Sequence, residues 1–236
     1  MLNSNAGKLN YLRWFDIVVL TVIFWGSGIW TSTLTYIELC KGTIDYNESM
    51  TFTAADNYAA LYEQLVMFII ALLYLLIRRF NFRQWVIRLD IKAICLGVIF
   101  FIGAALVQDA YTVLTNTFAD SLPFPNPIAD FCRNETVSEV IYAIFNGIYE
   151  ELYFLGMCLA VRPKHIKWAL AFSLLIRISF HTYQGMISAI GIGIVFGIYM
   201  YLLYAKRKDK NLVPLFVAHS IADVFGLGIL WYIGIQ

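Results

Sequence analysis

The hydrophobic pattern of the chain is a series of long apolar runs, each ended by charged residues or by clusters of proline and glycine. A helix that crosses about 30 Å of hydrocarbon needs about 20 mostly apolar residues, since each residue advances a helix by about 1.5 Å. Seven such runs lie at residues 14–36, 57–77, 91–117, 137–161, 167–186, 188–205 and 212–234. We therefore predict an all-α, polytopic transmembrane helical bundle of about seven spanning helices.

The composition agrees with a membrane location. Hydrophobic residues make up 60% of the chain and charged residues 14%, whereas soluble domains are close to half apolar and a quarter charged. The lipid bilayer is therefore an expected partner. The formal net charge is only +1, and basic residues occur in separate short loops, so we expect no nucleic-acid partner.

The segments that connect the runs alternate in charge. Lysine and arginine accumulate in every second segment, and in short loops they mark the cytoplasmic side. The basic segments contain Lys8 and Arg13; Arg78, Arg79, Arg83, Arg88 and Lys92; Arg162, Lys164 and Lys167; and Lys206, Arg207, Lys208 and Lys210. The alternation predicts a cytoplasmic N-terminus and a C-terminus on the opposite side.

We expect a single integrated membrane domain with two parts. Residues 1–136 hold the first three helices, and residues 137–236 hold the last four. Segment 78–90, between the second and third helices, mixes aromatic residues with four arginines. This composition is typical of a short helix lying at the cytoplasmic interface, and a solvated basic linker explains it equally well.

Polar side chains interrupt the apolar runs of the C-terminal half, where an ionisable group costs about 2.5–3.5 kcal/mol on insertion scales. Run 137–161 holds Asn146, Glu150 and Glu151; run 167–186 holds Arg177 and His181; and run 212–234 holds His219 and Asp223. Residues four apart share a helix face, which groups Asn146 with Glu150, Arg177 with His181, and His219 with Asp223. All lie at similar depth, so one polar chamber near mid-membrane can hold them.

This chamber has two interpretations. It is either a network of ion pairs and hydrogen bonds that only fixes helix packing, or a hydrolytic site. In the second case a carboxylate and an imidazole deprotonate a water molecule, and further donors stabilise the oxyanion that forms. Three carboxylates, two histidines and an arginine at matched depth favour hydrolysis.

Three motifs in these runs resemble the CPBP family, which comprises the CAAX proteases and bacteriocin-processing enzymes and is also called Abi. The first is the tandem glutamate of EELYFLG, Glu150 and Glu151. The second is RISFHTYQG around His181, a string similar to that of a Gram-positive branch of the family. The third is His219 with Asp223 four residues later, after a proline. The resemblance covers about residues 137–230.

The resemblance implies an intramembrane endopeptidase that performs proteolysis through glutamate-activated water. It implies that Glu150 is the general base, assisted by His181, and that His219 and Asp223 stabilise the oxyanion. Glu151 would orient the first motif or pair with a cation, and Asn146 supports Glu150 from the same face. All five acidic and imidazole groups are thus candidate catalytic residues.

Metal content is a separate question, because two histidines and a carboxylate can bind zinc with one open position, as in a metalloprotease. The candidate ligands are Glu150, His181 and His219. The sequence has no HExxH pair, so we favour a mechanism without a cofactor and keep zinc as the alternative.

The chain departs from the family pattern at two positions. Leu155 stands where the first motif has arginine, and Arg177 stands where the common second motif has phenylalanine. We hypothesise that Arg177 supplies the missing positive charge to the glutamate pair from the neighbouring helix. The alternative is that the loss of the motif arginine marks a non-catalytic member.

The sequence therefore favours an integral membrane hydrolase of a bacterial plasma membrane. Its expected substrates are membrane-associated peptides or protein tails, either peptide pheromone or bacteriocin precursors or CAAX-like tails. The main alternative is a non-catalytic membrane scaffold or bacteriocin self-immunity protein. A transporter is disfavoured because the chain has no duplicated halves.

Overall fold

The computed structural model describes residues 7–45, 50, 52–118 and 136–230. These residues form seven helices and no β-strand, with only isolated bridges between extended residues. The helices are α1 (Trp14–Lys41), α2 (Ala54–Ile77), α3 (Ile91–Asn116), α4 (Val137–Glu151), α5 (Ile166–Ser179), α6 (Met186–Lys206) and α7 (Val213–Phe225). The predicted all-α bundle of about seven helices is confirmed.

Four of the helices, α1, α2, α3 and α6, are long and apolar enough to cross a membrane. The helices α4, α5 and α7 are shorter, and they carry the three motifs. Much of the surface of the long helices is exposed, α2 most of all, whereas the second half of α4 is buried almost completely. The chain is thus an integral membrane protein, and the second half of α4, which holds the tandem glutamates, lies in its interior.

Local capping explains where several helices begin and end. Helix α2 begins three residues earlier than predicted because the Thr53 side chain accepts a hydrogen bond from the backbone N–H of Asp56, whose carboxylate accepts one from Thr53. Helix α1 extends to Lys41 and ends at Gly42 in the left-handed conformation. Helix α7 ends before Gly226, well short of the predicted 234, and residues 231–236 lie outside the described residues.

Two predicted helices were wrong in their C-terminal parts. Run 137–161 is α-helical only to Glu151 and continues as a π-helical segment, Leu152–Met157. Run 167–186 stops at Ser179, and a 3₁₀ turn, Thr182–Gln184, follows. Tertiary contacts cause this second break, because Ser32 of α1 bonds both the Thr182 hydroxyl and the Tyr183 N–H, at 2.9 Å each.

The four basic segments meet at one end of the bundle, which we call the inner end. Leu9 N–H donates to Arg79 O at 2.9 Å, and Leu212 N–H donates to the carbonyl of Val86 at 2.9 Å. Leu12 N–H donates to the carbonyl of Ala160 at 2.6 Å. The alternation of charged segments therefore corresponds to a real end of the molecule, and the opposite end is called the outer end.

Segment 78–90 forms neither the short interfacial α-helix nor the fully solvated linker that the sequence suggested. It contains a single 3₁₀ turn, Phe82–Gln84. Phe80 is buried in the core, and the Trp85 indole N–H donates to the carbonyl of Gly156 at 2.8 Å. The aromatic residues of the segment therefore pack under the end of α4, while Arg83 stays exposed.

Candidate active site

Five of the seven predicted site residues line one cavity of about 750 Å³. They are Asn146, Glu150, His181, His219 and Asp223. The two others, Glu151 and Arg177, are buried behind its wall. The matched depths therefore correctly placed the polar groups together, but the tandem glutamates face different surroundings, since neighbouring residues point about 100° apart around a helix.

Glu150 faces the cavity although its side chain is only 3% exposed. Its Oε1 accepts a hydrogen bond of 3.0 Å from the Asn146 amide. Its Oε2 lies 3.6 Å from Arg177 Nη1 and 3.6 Å from His219 Nε2, and it accepts no hydrogen bond from the described residues. A buried carboxylate oxygen without a donor is costly, so this atom is a candidate functional group.

Glu151 is fully buried and paired. Its Oε1 accepts a hydrogen bond of 2.8 Å from Arg177 Nη2 and lies 2.6 Å from His219 Nδ1. The ion pair with Arg177 is the contact hypothesised from the missing motif arginine, and it joins α4 to α5. The contact with His219 was not anticipated, and it joins α4 to α7.

Arg177 is held from both sides in the interior. Its guanidinium lies 4.0 Å from the ring centroid of Phe154 and 5.5 Å from that of Phe196, distances suited to cation–π contact. Leu155, at the motif arginine position, is buried in the aliphatic core. One arginine therefore supplies positive charge near both glutamates, from a different helix than the family motif uses.

His181 lies beyond the end of α5, so the predicted shared helix face with the Arg177 side chain is wrong. Its Nδ1 instead lies 2.7 Å from the carbonyl oxygen of Arg177. Because a carbonyl only accepts, Nδ1 carries the proton and Nε2 has a free lone pair. Within the described part of the chain, no hydrogen bond or ion pair joins His181 to Glu150.

Asn146 connects three helices through its amide. The Nδ2 group donates to Glu150 Oε1 and, at 2.8 Å, to Asp223 Oδ2, while Oδ1 accepts from Gln64 Nε2 of α2 at 2.7 Å. Gln64 was missed in the sequence. Its signal was a polar amide within the apolar run 57–77, beyond the part of the chain that the motifs cover.

A close approach of α4 and α7 brings these groups together. A Cβ atom built on Gly147 meets Ser220 Oγ, and it lies 2.7 Å from the Ser220 backbone nitrogen. Only glycine fits such a contact without displacement of the neighbouring helix. The contact is next to Asn146 on α4 and next to His219 on α7, so it sets the distance between the first and third motifs.

The ligand set that zinc accepts is not assembled in the described residues. No group of three or more His, Cys, Asp and Glu side chains among them could hold a metal ion. His219 uses Nδ1 for Glu151, and His181 is not in contact with Glu150. The residues present therefore do not fit a zinc centre in this arrangement.

Fold and site together define an integral membrane protein with a buried carboxylate, imidazole and guanidinium cluster beside a large cavity. Residues 133–225 match the family model described as type II CAAX prenyl endopeptidase Rce1-like. The match contains all three motifs and confirms, for this segment, the resemblance to the CPBP family. No curated protein and no solved structure matches the chain.

Proposed function

We propose that the chain is an intramembrane endopeptidase that hydrolyses peptides or protein tails at the membrane, as the name of the matched family implies. The observation that carries the proposal is Glu150 Oε2. This oxygen is buried, belongs to a cavity-lining side chain and accepts no hydrogen bond from the described residues. It is therefore free to accept a proton from water.

In the proposed reaction, Glu150 Oε2 takes a proton from a water molecule as its oxygen attacks the scissile carbonyl carbon. The resulting oxyanion is stabilised by His219 Nε2–H, which its Nδ1 contact with Glu151 holds in orientation. Asp223, whose Oδ1 lies 3.5 Å from that nitrogen, assists His219. The proton then passes to the leaving amine as the C–N bond breaks.

The remaining groups position these reactants. Arg177 holds Glu151, and Glu151 in turn holds the imidazole of His219. Asn146 fixes the carboxylates of Glu150 and Asp223. His181 offers a free Nε2 lone pair from the cavity wall, and we propose that it assists proton transfer between Glu150 and the leaving amine.

The finer features of the function are also proposals. The reaction proceeds without a metal, a proposal supported by the contact of His219 with Glu151 and by the lack of a contact between His181 and Glu150 among the described residues. The protein acts in a bacterial plasma membrane, because its second motif is similar to that of a Gram-positive branch. Its substrates are peptide pheromone or bacteriocin precursors, and prenylated CAAX-like tails are the second candidate class.

The test is cleavage of a library of quenched fluorescent peptides, with and without a farnesylated C-terminal cysteine, by purified full-length protein in detergent. Glu150→Gln keeps the shape of the side chain and removes the base. We expect it to lower the cleavage rate by about 10²- to 10⁴-fold. A chelator should leave the wild-type rate unchanged.

Glu38→Gln is the matched control, since it is the same substitution on the exposed surface of α1, and it should cleave like wild type. Circular dichroism checks that both variants remain helical. Equal rates for Glu150→Gln and wild type would contradict the proposal. Cleavage by none of the proteins would favour the non-catalytic scaffold, and loss of activity with chelator would restore the zinc alternative.

A further inference from the structure

The cavity occupies the outer half of the bundle and reaches down to its middle. The residues that line it come from 24–35 of α1, 57–67 of α2, 108–116 of α3, 139–150 of α4, and 219–227 in and after α7. In each helix these positions lie at or toward the end away from the basic segments. The remaining lining residues come from the α1–α2 connection, from the α5–α6 connection and from the first half of α6, as far as Phe196.

The inner half below the site is closed by packed side chains. Tyr153, Met157 and Cys158 follow the glutamates on the same chain segment and have no exposed surface. Phe80 and Trp85, from the connection between α2 and α3, pack against this hydrophobic core. Among the described residues that line the cavity, none belongs to this inner half.

The charge of the connecting segments identifies the cytoplasmic end of the bundle. Lysine and arginine mark the cytoplasmic side of short loops, and the four basic segments meet at the inner end. In the sequence, only Lys41 and Arg133 fall in the connections predicted for the outer end. The cavity therefore lies on the side of the bundle away from the cytoplasm.

The lining of the cavity is acidic. Four carboxylates contribute to it, Glu63, Glu139, Glu150 and Asp223, and no lysine or arginine of the described residues does. A cleft lined by charges of one sign, with low-dielectric walls, concentrates ligands of the opposite sign. Glu63 is exposed, so it is accessible to an approaching ligand.

Several buried hydrogen-bond acceptors of the cavity-lining side chains have no donor among the described residues. Carboxylates with no proton only accept, so the Asn146 group that faces Glu150 and Asp223 is its NH₂ group. Its Oδ1 must then accept from Gln64 Nε2, which leaves Gln64 Oε1 without a partner among the described residues. Together with Glu150 Oε2 and Gln108 Oε1, the lining side chains of the described residues hold three unpaired buried acceptors, against one unpaired donor, Trp25 Nε1.

We propose that this site takes a cationic peptide segment that enters from the outer, non-cytoplasmic face. The proposal rests on the proposed peptidase function and adds a direction of entry and a substrate charge. It opposes the processing of cytoplasmic tails, because such tails would have to pass the closed inner half. Basic residues of the substrate lie beside Glu63 and Glu139 while the scissile bond lies at Glu150.

The spacing of Glu139 and Glu150 along α4 also predicts how far a basic residue of the substrate lies from the scissile bond. Glu139 precedes Glu150 by eleven positions, which is about 16 Å along a helix. An extended peptide advances about 3.3 Å per residue. A lysine or arginine that pairs with Glu139 therefore lies roughly five residues from the scissile bond.

Access is tested without reference to activity, by cysteine labelling on intact cells. In a full-length protein whose native cysteines are replaced by alanine, Ser27→Cys places a thiol in the cavity wall and Arg83→Cys places one at the inner end. The membrane-impermeant reagents MTSET, a cation, and MTSES, an anion, are added outside. We expect Ser27→Cys to react, and with MTSET faster, while Arg83→Cys reacts only after permeabilisation.

Removal of single carboxylates tests the charge. Glu139→Gln keeps the capping interaction with Thr136, since glutamine also closes a capping box, and Glu63→Gln changes an exposed group. Each should lower the MTSET-to-MTSES rate ratio at Ser27→Cys by roughly two- to fivefold. Glu38→Gln, outside the cavity, should leave the ratio unchanged.

Cleavage provides the second measurement. Peptides with lysine five residues from the cleaved bond should have a lower KM than matched peptides with glutamate there, and Glu139→Gln should reduce this difference. Labelling of Ser27→Cys only from the cytoplasmic side, or a preference for MTSES, overturns the proposal. If Ser27→Cys is labelled from outside with the expected rate ratio but the protein cleaves no peptide, the proposed direction of entry and charge preference are retained and the peptidase function is rejected.

Discussion

Within one short stretch of chain the molecule changes from an outer half that contains the cavity, called the hollow half below, to a closely packed inner half, called the solid half. Asn146 and Glu150 line a cavity of about 750 Å³, whereas Tyr153 and Met157, one or two turns further along, have no exposed surface. The cavity of the outer half has carboxylates and amides among its aromatic and aliphatic lining residues, whereas the inner half is filled by aromatic and aliphatic side chains. The tandem glutamates lie at the boundary between the two halves.

In the proposed reaction, this difference gives two identical neighbours different tasks. Each keeps one oxygen without a hydrogen-bond partner among the described residues, but that of Glu150 belongs to a cavity-lining side chain, whereas Glu151 lies behind the cavity wall with its Oε1 paired with Arg177 and His219. A base must be reachable by water, and a positioning group must not move. The boundary supplies both conditions to adjacent residues.

The largest effect is expected from breaking the ion pair in the solid half. Arg177→Met removes the cation and leaves the fully buried Glu151 with only its contact to His219, which should lower the free energy of unfolding by about 3–5 kcal/mol. Unfolding is followed by circular dichroism in mixed micelles of dodecyl maltoside and SDS. Loss of the peptidase activity should accompany the loss of stability.

Two further proteins isolate the charge effect. Arg83→Met, at an exposed arginine, should stay within about 0.5 kcal/mol of wild type. The double variant Glu151→Gln/Arg177→Met should be more stable than Arg177→Met alone, because it no longer buries a carboxylate that has lost its arginine. If Arg177→Met were as stable as Arg83→Met, Arg177 would not be the cation that holds the glutamate pair.

An intermediate effect is expected where α4 and α7 meet at the floor of the cavity. Gly147→Ala forces a methyl group against Ser220, and such overpacking costs about 1–3 kcal/mol. The shift of α7 also moves His219 away from Glu150, so the cleavage rate should fall more than tenfold. Stability and rate are measured on the same preparations.

Gly26→Ala is the matched control, because a Cβ atom there meets only Val22 at an ordinary 3.7 Å. It should keep wild-type activity and have equal or greater stability, since alanine favours a helix over glycine. Equal behaviour of the two alanine variants would show that close packing at Gly147 does not set the site.

The sequence predicted the fold well because bilayer thickness fixes the length of apolar runs. It also predicted contacts within one helix, such as Asn146 with Glu150, since they follow from helical spacing. It misjudged the ends of the fourth and fifth helices. There the contacts of Ser32 with Thr182 and of Trp85 with Gly156 accompany the end of regular α-helix, and no local pattern announces contacts so distant in the chain.

The same limit applies to the site. The three motifs name the groups that take part, and the exchange of arginine between two helices could be inferred from a missing charge. The contact of His219 with Glu151 and the entry of Gln64 into the network join residues 68 and 82 positions apart. Helical periodicity contains no information about which faces of different helices meet, so these contacts required the structure.

The smallest effect is expected in the solid half, at Trp85. Trp85→Phe keeps an aromatic ring beside Gly156 but removes the hydrogen bond to the carbonyl of Gly156 and part of the ring packing; loss of the hydrogen bond should cost about 0.5–1.5 kcal/mol. Trp168→Phe, at a residue 78% exposed, should cost less. Because neither tryptophan lines the cavity, both variants should cleave peptides at the wild-type rate. A Trp85→Phe protein of normal stability but reduced activity would show that the inner half takes part in catalysis and that the two halves are not separate in function.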